Sequence, residues 1–348
     1  MTEAVASGVL SESAIADVEW AAAVAAIREH ARAGRVQLAC HVNPDGDALG
    51  SMLGFGLGLR RLGASGVRAA FPGEFEVPEP LAALPGLDLL VPEERAYEDP
   101  DLMIVFDVAA ESRLGGLAGA LGRARSTIVL DHHASNTRFG AVNLVDRGAA
   151  ATSVVTEELL ARLDVPLDAG IAECLYVALA TDTGSFKFDM TTPRTHEMAA
   201  RLLATGLSPG DISRRVFDSR PFGAMKLFAE VLGRAALDPT AAGGHGMVWT
   251  YATLDDLERH QQRPYVMDAL IDPVRTVVEA DVSVVVKQLG DREWAVSLRS
   301  KGAVDVGAVA VALGGGGHRL AAGFTGRGAA GDVVVAVREQ LDRNLTQR

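Results

Sequence analysis

Three short apolar runs in the first half of the chain stop abruptly on acidic or imidazole residues. RVQLACH closes on His41, LMIVFD on Asp107, and STIVLDHH on Asp131, His132 and His133. Apolar runs of about four to eight residues bounded by polar turns read as buried strands. GVRAAF and AVNLVD have the same character. Between or after them lie segments with helical apolar spacing: residues 15–33, ALGSMLGFGLGLRRLG, ATSVVTEELLARL and AGIAECLYVALATDTG. Strands that alternate with helices favour a mostly parallel sheet with helices on both faces, because a parallel pair needs a crossover connection. In such a sheet ligands gather beyond the carboxyl ends of the strands, where these runs place their polar residues.

A chain of 348 residues is long for one core, so two domains are expected. The spacing predicts an N-terminal helical extension over 1–34, a larger α/β domain over 35–205, a helical linker over 206–243 and a smaller α/β domain over 244–348. The last contains strand-like GMVWTYA, VVEADVSVVVKQL and EWAVSLRS, helix-like VDVGAVAVAL, a glycine run and a final helix from about residue 330. A site in a cleft between the two domains is the expected arrangement.

No run of about 18 uncharged apolar residues appears, and the N-terminus lacks the basic start and apolar stretch of a signal peptide. A cytoplasmic protein without a membrane partner is expected. Cys40 and Cys174, both inside apolar runs, read as buried thiols and not as a bridge or a thiolate metal site. A formal net charge of -12 argues against a protein that coats long duplex nucleic acid, which demands an extended basic surface. Short oligonucleotides and mononucleotides stay compatible.

A single Asp after a strand is usually a turn residue. Here His41, Asp45 and Asp47 of HVNPDGD, Asp107, Asp131 with His132, and Asp182 of TDTGSF come from four separate segments. Carboxylate and imidazole without thiolate suit Mn²⁺, Mg²⁺ or Co²⁺ better than structural Zn²⁺. Several carboxylates in one place repel unless cations lie between them, and one bridging carboxylate can hold two metals about 3.5–4 Å apart.

HVNPDGDALGS, FDVA, DHHAS and TDTGSF resemble, in order and character, the four motifs of the DHH phosphoesterases. RSKGAVDVGAVAVALGGGGHRLAAGF is similar to the glycine-rich motif of the associated DHHA1 domain, so the resemblance spans residues 41 to 324. It implies a DHH catalytic domain joined to a DHHA1 domain, and within the family it points to the small nanoRNase and pAp-phosphatase group. It further implies two divalent cations, Mn²⁺ foremost. His41, Asp45 and Asp107 would hold one; Asp47, Asp107, His132 and Asp182 would hold the other, with Asp107 as bridge. Asp131 would support the neighbouring histidines, and His133 would meet substrate phosphate or protonate a leaving oxygen. Asp107, Asp131, His132 and His133 form the expected catalytic group, and a homodimer is implied as well.

In the second domain Gly315, Gly316 and Gly317 would let backbone N–H groups approach an anion. With His318, Arg319, Arg299 and Lys301 they form the expected substrate pocket. Arg214, Arg215, Arg220 and Lys226 read equally well as a solvated helix face, and Ser51, Ser135 and Asn136 as capping residues.

The expected activity is hydrolysis of very short RNA, including linear dinucleotides such as pApA and pGpG, together with removal of the 3′-phosphate from adenosine 3′,5′-bisphosphate (pAp). Both reactions attack a phosphate ester at a ribose 3′ position. A soluble cyclic di-AMP phosphodiesterase is the enzymatic alternative. A non-catalytic nucleotide-binding regulator is the alternative of another class, and it has no need for so many mutually repelling carboxylates. Inorganic pyrophosphatase and long-substrate exonuclease readings rank below these.

Overall fold

The computed structural model describes residues 15–346. Residues 1–14 of the expected extension lie outside the described residues. The chain forms two compact units that divide between Ser219 and Arg220.

In the first unit, helix α1 (Asp17–His30) leads into β1 (Val36–Ala39), α2 (Gly46–Arg61) and β2 (Val67–Ala70). Then come β3 (Leu102–Phe106), α3 (Ala118–Leu121), β4 (Ser126–Asp131) and β5 (Val142–Val145). Helices α4 (Thr152–Arg162), α5 (Ala169–Asp182), α6 (Pro193–Leu203) and α7 (Pro209–Val216) complete it. The strands pair in the order β2-β1-β3-β4-β5, every pair parallel. Successive side chains of a strand point to opposite faces. Leu38, Ile104, Phe106, Ile128 and Leu130 therefore enter the core shared with α1, α2, α4 and α5, while Ala39, Met103, Val105 and Val129 face a second core under α3 and the 3-10 turn Glu111–Leu117. Both faces of the sheet are covered, as the alternating sequence pattern predicts.

Helix α2 carries glycine at every fourth position from Gly46 to Gly58, one stripe of the helix surface. A Cβ at Gly50 would stand 2.4 Å from the carbonyl oxygen of Cys174, and one at Gly46 2.4 Å from Thr181 Oγ1. Only a hydrogen at these positions lets α2 lie this close to α5. The close approach brings Asp45 and Asp47 at the start of α2 beside Asp182 at the end of α5.

The second unit contains α8 (Phe222–Gly233), β6 (Ala236–Asp238), β7 (Met247–Ala252), α9 (Leu254–Arg259), α10 (Ile271–Val274), β8 (Val282–Gly290) and β9 (Glu293–Ser300). It continues with α11 (Val306–Ala312), β10 (Gly316–His318), β11 (Ala321–Arg327) and α12 (Ala330–Thr346). Its sheet runs β10-β11-β9-β8-β7-β6, antiparallel except for the β7–β8 pair. Val284, Val296 and Leu298 face a core with α11 and α12, and Val248 and Val285 face one with α8 and α10. The segment expected as a linker is divided between the units. Ile212 of α7 is buried in the first core, and Leu227 and Val231 of α8 in the second.

Both cysteines are buried and unbridged. Among the described residues no helix is long and apolar enough to cross a membrane.

Candidate metal centre

The residues named from the ends of β1, β3, β4 and α5 meet at the carboxyl edge of the first sheet. His41 follows β1, is 4% exposed, and donates its Nδ1–H to the Val42 carbonyl at 2.8 Å. A carbonyl only accepts, so this bond leaves Nε2 to face Asp107 Oδ2 at 3.4 Å and Asp45 Oδ2 at 3.9 Å. Asp45 is the N-cap of α2 and accepts the Ala48 N–H at 3.0 Å.

His132, buried after β4, donates Nδ1–H to the Ala149 carbonyl at 3.2 Å. Its Nε2 faces Asp182 Oδ2 at 3.2 Å, Asp107 Oδ1 at 3.7 Å and Asp47 Oδ2 at 3.8 Å. Asp107 thus gives one oxygen to the His41–Asp45 group and the other to the Asp47–His132–Asp182 group. It sits just past β3 with φ 58°, a left-handed conformation uncommon for a non-glycine residue, and its N–H donates to the Leu130 carbonyl at 2.9 Å.

Asp47 is held by the start of α4. Its Oδ2 accepts the Thr152 N–H at 2.7 Å, and its Oδ1 accepts the Ser153 N–H at 3.1 Å and the Ser51 hydroxyl at 3.0 Å. The N-cap of α4 is Ala151, which has no capping side chain, so a carboxylate from α2 meets the orphan N–H groups of this helix. The Thr152 hydroxyl donates to Asp107 Oδ1 at 3.1 Å. Thr152 and Ser153 were absent from the sequence expectation, as a helix start that borrows its cap from a distant segment leaves no local pattern.

Asp131 is fully buried and surrounded by protein donors. Oδ1 accepts the His132 N–H at 2.8 Å and the His133 Nδ1–H at 2.7 Å, and Oδ2 accepts the Asn136 amide at 2.6 Å. That geometry suits support of the two histidines. Ser51 and Asn136, ambiguous in sequence, hold Asp47 and Asp131; Ser135 is half-buried in the turn between.

The donor set has an excess of negative charge. Burial, with the charges of Asp107, Asp182 and Asp45, pushes the Asp47 carboxyl well above its usual range. Burial raises Asp182 to about 6, His132 opposing and Asp107 and Asp45 adding to the rise. Burial would also raise Asp107, but the hydrogen bond to His41 and the charges of His133, His41 and His132 hold it low. Burial disfavours the His133 cation, yet the Asp131 hydrogen bond and the carboxylates of Asp107, Asp131 and Asp182 lift it to about 10. Divalent cations fit this set. Donors about 2.1 Å from a shared ion stand ~3 Å apart in an octahedral shell, near the 3.2–3.9 Å spacings found around His41 and His132. His41, Asp45 and Asp107 form one such group, and Asp47, Asp107 and His132 another.

In the second unit the glycine run has structural duties. Gly314, at φ 85°, ends α11: its N–H donates to the Val311 carbonyl at 3.1 Å, and the Gly315 N–H to that of Ala310 at 2.8 Å, a Schellman closure. Gly316, Gly317 and His318 form edge strand β10, paired with Gly323, Ala322 and Ala321. A Cβ on Gly315 would lie 2.1 Å from the Gly323 carbonyl oxygen. Arg299, Ala321 and His318 occupy one row across β9, β11 and β10 and so share a face of the sheet. Arg319 donates to the Gly302 carbonyl at 2.7 Å, and the Lys301 ammonium to that of Val277. Arg214 pairs with Asp211 and Arg215 with Glu173, while Arg220 lies over Phe228 and Lys226 over Phe222.

The sheet order, the crowded carboxylates and the second, mixed sheet define a metal-dependent phosphoesterase architecture, and the chain belongs to the DHH family of phosphoesterases. The model of the DHH family N-terminal domain matches residues 35–179, and that of the DHHA1 domain residues 249–346. The chain is similar to the bifunctional oligoribonuclease and PAP phosphatase NrnA of Thermus thermophilus, 32% identical over 89% of this chain and 91% of that protein. The protein of the same name in Bacillus subtilis is 28% identical over 81% of this chain and 86% of its own. Among solved structures, an exopolyphosphatase-related protein from Bacteroides fragilis has the same fold. Its TM-score is 0.83 at 21% identity, over 97% of this chain and 100% of that one.

Proposed function

We propose that this hydrolase cleaves short oligoribonucleotides, including linear dinucleotides such as pApA and pGpG, and removes the 3′-phosphate of pAp, using water activated between two divalent cations, Mn²⁺ foremost. The observation that carries the reading is Asp107, with Oδ2 toward His41 and Oδ1 toward His132. The names of the Thermus and Bacillus relatives support the substrate class. His41, Asp45 and Asp107 would hold one cation, and Asp47, Asp107, His132 and Asp182 the other. Bound cations supply a water of lowered pKa and offset charge on the phosphate.

The chain's own residues do the rest. The Val42 and Ala149 carbonyls fix the tautomers of His41 and His132, and the first turn of α4 fixes Asp47. Asp131 orients His133 through Nδ1, so that Nε2 can hand a proton to the departing ribose 3′ oxygen as the P–O bond breaks. Residues 244–348 would grip the substrate through Arg299, Lys301, Gly315, Gly316, Gly317, His318 and Arg319 and so limit its length. The protein would act in the cytoplasm as a homodimer, on short RNA and mononucleotides and not on long duplexes. The test offers purified protein and Mn²⁺ a panel of di-, tri- and longer RNA, pAp and cyclic di-AMP. Fastest turnover of dinucleotide and pAp is expected; preference for long RNA would overturn the reading, and preference for cyclic di-AMP would favour the alternative.

A further inference from the structure

We infer that Asp146 and Arg194 form a positioning clamp that sets up one half of the metal centre, the half built on Asp47 and His132; the inference rests on the reading of that centre as a cation site. Asp146 lies one residue past β5, and its side chain is 3% exposed. It accepts the Arg194 guanidinium at 2.7 Å through Oδ2 and the Gly148 N–H at 3.0 Å through Oδ1, and its carbonyl accepts the Ala149 N–H at 3.0 Å. The other arm of Arg194 reaches Glu158 of α4 at 3.3 Å. One guanidinium near the start of α6 therefore ties the turn after β5 to the helix that follows it.

The backbone between these two anchor points touches the centre twice. The Ala149 carbonyl accepts Nδ1–H of His132, and the Thr152 and Ser153 N–H groups bind Asp47. Neither contact reaches His41 or Asp45, whose orientation comes from Val42 and Ala48. Partners of this kind fix the tautomer and aim of a ligand, and their loss typically lowers metal affinity about 10–100-fold. The Thr152 hydroxyl also holds Asp107, through Oδ1, the oxygen that faces His132, so the clamp should act first on the Asp47–His132 position and reach the His41–Asp45 position only through the shared Asp107. Arg201, also on α6, forks onto Glu157 of α4 at 2.8 and 2.6 Å, and among the described residues its hydrogen bonds and ion pairs go to Glu157 and not to the 146–151 turn. It provides the matched control.

The experiment compares full-length wild type, D146N/R194M, R194K and R201M/E157Q. The double substitution removes both charges, so that no buried ion is left unpaired. Imidazole ¹⁵N spectra of metal-free protein report the His132 tautomer, and Mn²⁺ titration followed by electron paramagnetic resonance reports each cation class. D146N/R194M is expected to lose the single Nδ1–H tautomer of His132 and to weaken one Mn²⁺ class about 10–100-fold. R194K should recover part of both, and R201M/E157Q should match wild type. An unchanged tautomer and unchanged Mn²⁺ affinities in D146N/R194M would overturn the clamp, as would an equal disturbance in R201M/E157Q. Wild type that binds no Mn²⁺ while its His132 tautomer still depends on the clamp would overturn the cation reading and uphold the clamp.

Discussion

Asp131 Oδ1 and His133 Nδ1 are 2.7 Å apart, and that one bond separates two adjacent histidines into different roles. His132 turns its Nε2 to three carboxylates, whereas His133 is bound to a carboxylate that the Asn136 amide also holds. Asp131→Asn keeps the volume but cannot accept from His133 with the same charge. If His133 supplies a proton to the leaving oxygen, kcat should fall about 10²–10⁴-fold. Bound Mn²⁺ per chain should stay at the wild-type value. Parallel kinetics and metal analysis check this, and loss of metal instead would place Asp131 among the ligands.

Asp107→Ala removes the carboxylate common to both groups. Turnover with Mn²⁺ should drop below detection on pAp and dinucleotide alike, and titration should show both cation classes weakened. A variant that retains wild-type activity would reject the bridge.

His318→Ala addresses the other domain. The row shared by Arg299 and His318 suits contact with a phosphate, and a hydrogen bond to a charged group is worth ~1.5–3 kcal/mol. KM for dinucleotide should therefore rise about 10-fold or more, with Mn²⁺ binding unchanged. Loss of metal in this variant would overturn the division of labour.

The parallel sheet and the ligand types were legible in sequence for a local reason: each strand of the first unit is a compact apolar run, and three such runs lead into ligand residues. What stayed hidden depends on distant partners. The cap of α4 comes from Asp47, a residue more than a hundred positions earlier, while Ala151 carries no signal at all. The turn around Asp146 looks like any strand exit until Arg194 arrives from α6. The GGGGHR run reads locally as a flexible loop, yet pairing with residues 321–323 makes a strand of it, because strand formation depends on neighbours more than on intrinsic preference.

The glycine stripe of α2 makes a prediction about packing. At Gly50→Val the new Cβ would meet the Cys174 carbonyl 2.4 Å away, a backbone atom that cannot swing aside. Overpacking of this sort costs about 1–3 kcal/mol. Denaturant midpoints should fall, and Mn²⁺ affinity should fall with them, because α2 and α5 carry Asp47 and Asp182. Unchanged metal affinity in a destabilised variant would show that the centre does not depend on this helix contact.

A pH prediction follows from Asp256, 1% exposed in the second unit. Burial alone would raise its pKa, but the Arg234 hydrogen bond and the N–H and hydroxyl of Thr253 outweigh burial and hold the carboxyl below its usual range. A carboxyl depressed on folding stabilises the protein above its unfolded pKa, and the benefit disappears as pH falls through the folded value. Asp256 also completes the capping box of α9 with Thr253. Asp256→Asn should cost about 1–2 kcal/mol at pH 7, the size of a lost cap. The gap between variant and wild type should close as the pH is lowered below about 4, the ordinary carboxylate range. Urea unfolding followed through tryptophan fluorescence between pH 3 and 7 would measure it, since Trp249 and Trp294 lie in this unit's sheet. A gap that is independent of pH would mean that shape, and not charge, is what Asp256 contributes.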